Sequence, residues 1–200
     1  MTEKEKMLAG QLYDPSAEDL PALRAKAHDL CRRFNALSET CEDERAALLR
    51  ALLPRCGQGV YLQGPIQFDY GCFTAIGEGS YANFNLTVLD CAPVTIGRHV
   101  FLGPNVSLYT PVHPLMWQER DFYTKPDGTV TDREYAREIV IGDNCWLAGG
   151  VTVCGGVHIG AGSVIGAGSV VTRDIPGGVF AAGVPCRVIR PITDADRLLP

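Results

Sequence analysis

Between Ile141 and Val171 an aliphatic residue returns every six positions, at Ile141, Leu147, Val153, Ile159, Ile165 and Val171. Four places after each stands a small or branched residue: Cys145, Val151, Val157, Ser163, Ser169 and Ile175. Compact residues usually follow the aliphatic one, as at Gly142, Ala148, Cys154, Gly160 and Gly166. So short a period marks a repeat architecture. It predicts a mainly β protein built as a parallel β-helix, whose short strands stack coil on coil around one aliphatic column. Three hexads make one triangular coil, with stacked strands about 4.8 Å apart. The spacing does not set the hand of the helix.

A second phase runs through Ile96, Leu102 and Leu108, with Val100, Val106 and Val112 four residues on. Leu108 and Ile141 are separated by 33 residues, which is not a multiple of six, so a segment is inserted. It is the stretch 114–138, charged, carrying Pro and Gly, and aromatic at Trp117, Phe122, Tyr123 and Tyr135. A long loop extruded from a rigid scaffold is usually functional. The first part of the chain has a different texture, rich in Leu, Ala, Glu and Arg and poor in Gly. Leu20, Leu23, Ala27, Leu30 and Phe34 form a helical stripe, with Ser16 as its expected cap. A second helix is expected from about Thr40 until Pro54 and Gly57 stop it. Helices this short need a partner surface, and the open end of the β-helix supplies one. The expected organisation is a helical cap over 1–58, a β-helix domain over 59–193 with the loop 114–138, and a tail over 194–200.

The net charge of −5 argues against a nucleic-acid partner. No apolar run reaches membrane-spanning length and no signal-like segment opens the sequence, so the expectation is a cytoplasmic protein without a membrane partner. Its eight cysteines include no Cys-x-x-Cys pair, and they read as reduced thiols rather than metal ligands.

Four stretches then stand in order along the chain: Met7-Leu-Ala-Gly-Gln-Leu-Tyr-Asp14, Tyr81-Ala-Asn-Phe-Asn85, Val112-His-Pro114 and Ala181-Ala-Gly-Val-Pro-Cys-Arg-Val-Ile-Arg190. Together they resemble the galactoside and maltose O-acetyltransferases of the hexapeptide-repeat class. The resemblance implies a left-handed parallel β-helix, a homotrimer, and acetyl-CoA bound between adjacent subunits, with no metal. It implies acetyl transfer to a hydroxyl of a sugar or related acceptor. The same chemistry on an antibiotic or amino-acid hydroxyl stays open, as does an inactive β-helix scaffold.

His113 follows an expected inward residue, Val112, and so should face outward at the root of the loop. An imidazole near neutral pH can take the proton that keeps a hydroxyl a poor nucleophile. The family's catalytic His falls at His113, and its Asn for the oxyanion or the acceptor falls at Asn83. For Asn85 a turn role is expected. Acceptor contacts are implied at Asp14, Arg24, Asp69, Asn83 and Asp90. Coenzyme contacts are implied at Gly103, Trp146, Gly149, Ala161, Ala167, Thr172, Arg173, Arg187 and Arg190. The small residues would let backbone approach the thin arm of the coenzyme, and the arginines would meet its phosphates. Glu119 or Asp121 is a candidate to orient His113. A rival resemblance, to zinc enzymes of the γ-carbonic-anhydrase type on the same scaffold, would imply three His with two of them five residues apart; no such pair exists, so His99 and His158 read as exposed turn residues.

Overall fold

The computed structural model describes residues 1–199; Pro200, the last residue of the expected tail, lies outside the described residues. Three parallel walls of short strands form a triangular prism. The first wall holds Arg55–Cys56, Thr74–Ile76, Val94–Ile96, Ile139–Ile141 and His158–Ile159. The second holds Tyr61–Leu62, Tyr81–Ala82, Phe101–Leu102, Trp146–Leu147, Val164–Ile165 and Val179–Gly183, with Cys186–Pro191 folded back antiparallel at its edge. The third holds Ile66–Phe68, Leu86–Leu89, Ser107–Tyr109, Thr152–Cys154 and Val170–Val171. Corners are numbered by the wall they follow.

The hexad column is the core. Ile141, Leu147, Val153, Ile165 and Val171 are all 1% exposed or less, and Val100, Val106, Val151 and Val157 fill the space between them. A fully buried aliphatic side chain is worth about 1.5–3 kcal/mol. The glycines at the first corner have a steric cause. A Cβ on Gly142 would stand 2.5 Å from the Ala161 nitrogen of the coil above, and one on Gly160 would stand 2.3 Å from the Gly177 nitrogen.

The repeat is less uniform than its clean half suggests. Upper coils are 18 residues long, as Val140 pairs with His158 and Trp146 with Val164. Lower coils are 20, as Tyr61 pairs with Tyr81 and Ile66 with Leu86. The extra residues lie at the third corner, between the buried Val88 and Ile96. The loop leaves from the same corner. At the top Ile159 bridges Ile175, a coil shortened between Val171 and Ile175, again at the third corner.

Val112 departs from expectation. The inward position is taken by Thr110, fully buried, whose hydroxyl donates to the Leu89 carbonyl at 2.7 Å. Val112 is half-buried in the strand Pro111–Val112, which pairs antiparallel with Tyr135–Ala136 as the two ends of the loop. Inside the loop, a short helix α4 (Trp117–Arg120) precedes a second antiparallel pair, Tyr123–Thr124 with Val130–Thr131.

In the N-terminal part, α1 spans Glu3–Leu8, α2 Leu20–Ala36 and α3 Glu42–Leu52. The Thr2 side chain and Glu5 close a capping box on α1. Ser16 is not the cap of α2: its N–H and hydroxyl both donate to Asp14, and Asp19 takes the N-cap position. The buried residues Ala27, Leu30, Phe34, Leu52 and Leu53 join Leu62, Ile66 and Phe68 in the main core, so α2 and α3 cover the open end of the prism. α1 instead sits on the flank, where Met7 and Tyr13 pack with Leu20, Tyr70, Cys91, Ala92 and Ala136. That places the N-terminal segment against the third corner.

Candidate active site

The third corner stacks chemically able side chains. Asp69 and Tyr70 come from the lowest coil, Asp90 and Cys91 from the next, and His113 from the root of the loop. Thr172 and Arg173 lie on the same corner higher up, both exposed. The N-terminal segment adds Tyr13 and Asp14, and α2 adds Arg24 and His28.

His113 is half exposed, at 50%. Its Nδ1 lies 3.6 Å from Asp132 Oδ2, and its Nε2 lies 3.8 Å from Glu134 Oε2. Both carboxylates come from the returning limb of the loop. Glu119 and Asp121, the sequence candidates for this neighbour, are exposed on the outgoing limb, and among the described residues the Asp121 carboxylate accepts only the Phe122 N–H. The antiparallel pairing of Val112 with Tyr135 brings residue 134 back beside residue 113. Hexad counting carries no information about that pairing. Glu134 is held by the Tyr13 hydroxyl, which donates to its Oε1. Burial pushes the Glu134 carboxyl above its usual range, with Tyr13 and the His113 charge pulling the other way.

Asp69 lies 3.6 Å from the Cys91 thiol and 3.7 Å from His28 Nε2. Arg24 donates to the Tyr70 hydroxyl at 2.7 Å. Burial first, then the Glu134 and Asp69 carboxylates, push the Cys91 thiol up. It stays protonated and is a poor nucleophile. Asp14 accepts from Lys125 Nζ at 2.6 Å and from the Thr131 hydroxyl at 2.7 Å, tying the N-terminal segment to the loop. Burial raises its carboxyl, but Lys125, Thr131 and Ser16 outweigh burial and hold it below its usual range.

Asp90 is a correction to the sequence reading. It is fully buried and faces inward. Its Oδ1 accepts the N–H groups of Tyr70 at 2.8 Å and Gly71 at 3.1 Å, and its Oδ2 accepts the Thr74 hydroxyl at 3.0 Å. No acceptor molecule can reach it. It builds the turn that presents Asp69 and Tyr70.

Asn83 stands at the second corner, not the third. Its Oδ1 accepts the Phe84 N–H at 2.8 Å, which leaves the amide N–H groups as the available donors. Register puts Gly103 directly above it, and Gly149 and Ala167 belong to higher turns of the same corner. Asn85, at φ 62°, donates to Asn105, at φ 59°, which is the turn role expected of it. Ala161 lies at the first corner, and Trp146 faces outward on the second wall. Within one chain, therefore, Asn83 and His113 occupy different corners of the prism. Arg187 turns onto its own Cys186 carbonyl at 2.7 Å, while Arg190 is clamped by both oxygens of Asp196 at 2.7 and 2.8 Å. His99 and His158 are exposed, His99 in a left-handed turn. Among the described residues no three His, Cys, Asp or Glu converge as metal ligands, and no helix is long and apolar enough to cross a membrane.

Residues 6–57 match the family described as the maltose acetyltransferase hexapeptide capping motif, and residues 138–173 match the bacterial transferase hexapeptide family as six repeats. The galactoside O-acetyltransferase of Escherichia coli K12 is 40% identical over 197 residues, covering 98% of this chain and 93% of that protein. The chain belongs to the sugar O-acetyltransferase family of hexapeptide-repeat enzymes. As a member it is an acetyl-CoA-dependent acetyltransferase. A putative acetyltransferase of Saccharomyces cerevisiae is 42% identical over 193 residues, 96% of this chain and 94% of that one. Among solved structures, a galactoside acetyltransferase in complex with coenzyme A superposes with a TM-score of 0.91 at 39% identity, over 100% of this chain and 96% of the other. A maltose O-acetyltransferase from Clostridium difficile 630 gives 0.89 at 41%, over 97% and 99%.

Proposed function

We propose that the protein transfers the acetyl group of acetyl-CoA to a hydroxyl of a sugar or sugar-like acceptor, with His113 as general base. The observation that carries this reading is His113 at the loop root, half exposed between Asp132 and Glu134. One imidazole nitrogen takes the proton of the acceptor hydroxyl as its oxygen attacks the thioester carbonyl. The oxyanion that forms is stabilised by the free amide donor of Asn83 and by backbone N–H groups. Collapse breaks the C–S bond, and the imidazolium returns its proton to the departing coenzyme thiolate. No covalent acetyl-enzyme forms, in keeping with the protonated Cys91. Asp14, Arg24 and Asp69 line the acceptor side.

The active unit is a homotrimer with its sites between subunits. Two features support this: Asn83 and His113 lie on different corners of one chain, and Tyr61, Phe101 and Trp146 form an exposed aromatic column on the second wall. Such a column is the mark of a covered face. The coenzyme arm runs along Gly103, Gly149 and Ala167 of one subunit. Trp146, Ala161, Thr172, Arg173, Arg187 and Arg190 complete the groove from the two chains that form it.

The test is His113→Ala in a coenzyme-thiol release assay with a panel of sugars. A loss of about 10²- to 10⁴-fold in kcat is expected for removal of a general base. Wild-type thiol release by that variant with a good acceptor would rule the mechanism out.

A further inference from the structure

We propose that Glu134, locked in place by Tyr13 of the N-terminal segment, is the positioning residue that sets which nitrogen of His113 acts as the base. This rests on His113 being the base.

An imidazole base must keep a proton on one nitrogen and offer the other. Here each nitrogen faces a carboxylate, and the two carboxylates are not equivalent. Glu134 is immobilised on three sides. Its main chain bridges Tyr13, the Tyr13 N–H donating to the Glu134 carbonyl at 3.0 Å and the reverse bond at 3.4 Å. Its Oε1 accepts the Tyr13 hydroxyl, and its side chain is only 14% exposed. Tyr13 is itself 1% exposed, and burial raises its phenol, which therefore remains a donor. The second oxygen of Glu134 is left facing His113 Nε2. Asp132, by contrast, has no hydrogen bond to its carboxylate among the described residues.

A fixed acceptor selects the tautomer. The nitrogen facing Glu134 keeps its proton, which in this ring orientation is Nε2, and the opposite nitrogen takes the proton of the acceptor hydroxyl. The 3.8 Å separation is that of the resting site. When the ring becomes a cation, a charge-assisted hydrogen bond draws the pair to about 2.7–2.9 Å. Glu134 takes no proton; it stabilises the imidazolium until that proton passes to the coenzyme sulfur. The groups around Glu134 are Tyr13 from the N-terminal segment, Cys91 and Asp69 from the third corner, and His113 and Asp132 from the loop. The helical cap thus takes part in catalysis through Tyr13, beyond closing the prism.

The test compares Glu134→Gln, Glu134→Asp and Tyr13→Phe in steady-state kinetics and by ¹⁵N NMR of the histidine ring nitrogens. Glu134→Gln should lower kcat roughly 10- to 100-fold, part of the 10²–10⁴ a general base supplies, with KM for acetyl-CoA unchanged. Glu134→Asp should restore part of the loss, and Tyr13→Phe should cost several-fold. In the wild type the His113 ring should show one tautomer, protonated toward Glu134; in Glu134→Gln it should show a mixture. A wild-type kcat in Glu134→Gln, or the same tautomer population in both, overturns the assignment. If that variant does not fold, a wild-type ring carrying its proton on the nitrogen away from Glu134 overturns it equally. An inactive His113→Ala alongside a fully active Glu134→Gln removes the positioning role alone; an active His113→Ala removes the base itself.

Discussion

Replacing Asp90 by alanine separates a structural carboxylate from an acceptor contact. The change orphans two backbone N–H groups, those of Tyr70 and Gly71, and the Thr74 hydroxyl, all inside the protein. Each buried donor left without a partner costs about 1–3 kcal/mol. The hydroxyl can turn, and loss of a desolvated charge gives something back, since burial raises the Asp90 carboxyl despite those bonds. The net expectation is about 2–5 kcal/mol, a large part of the roughly 5–15 kcal/mol that holds a domain together. Asp90→Asn keeps an oxygen for both N–H groups and turns its amide toward Thr74, whose oxygen can accept. It should lie within about 1 kcal/mol of the wild type. The assay is denaturant unfolding at one fixed protein concentration, paired with KM for the acceptor measured well below the transition. The reasoning fails if Asp90→Ala unfolds with the wild type while KM for the acceptor rises, or if Asp90→Asn raises KM without moving the midpoint.

Two further expectations concern assembly and the loop. If active sites join His113 of one subunit to Asn83 of the next, then mixing inactive His113→Ala and Asn83→Ala chains through unfolding and refolding should restore activity. Random cyclic trimers would recover roughly a quarter of the wild-type rate, and complete silence of the mixture would contradict a shared site. The Asp14 carboxyl is depressed in the folded protein, so its tie to Lys125 and Thr131 is fully present above the unfolded carboxyl pKa and weakens as pH falls through the folded value. Amide exchange in 123–131, corrected for intrinsic rates, should stay constant from pH 7 to 5 and rise only below about pH 4. Asp14→Asn should show the faster exchange already at pH 7; equal protection there would mean the tie does not hold the loop.

The walls were legible because burial enforces a period. Ile141, Leu147 and Val153 must recur for the column to close, and the steric need at Gly142 and Gly160 follows from the same stacking. Ile76-Gly77, Ile96-Gly97, Ile141-Gly142 and Ile159-Gly160 repeat that pair at each first corner, and reading them as one series would have revealed the longer lower coils. His113 was legible from its place at the break. Its neighbours were not, because Asp132 and Glu134 meet it through an antiparallel return of the loop, and Tyr13 reaches Glu134 through a bridge spanning most of the chain. Asp90 was misread for a related reason. A carboxylate beside an expected site looks the same in sequence whether it points outward to a ligand or inward to three donors.

All departures from the 18-residue coil lie at one corner: two residues gained in the lower coils, a loop in the middle, two lost at the top. The other two corners keep the six-residue spacing throughout, from Ile76, Ala82 and Val88 in the lower coils to Ile159, Ile165 and Val171 in the upper ones. At the third corner, a doubled insertion costs only about 0.6 kcal/mol in closure entropy. The prism therefore divides its labour during evolution. The lower part of one edge is free to be rewritten for a new acceptor, while the second corner, where Gly103, Gly149 and Ala167 would hold the donor molecule, is kept in step by the core itself. Acceptor preference in this fold should be transferable by exchanging the lower third-corner segments and the loop between relatives, with Thr172 and Arg173 higher on that corner and the second-corner residues left in place.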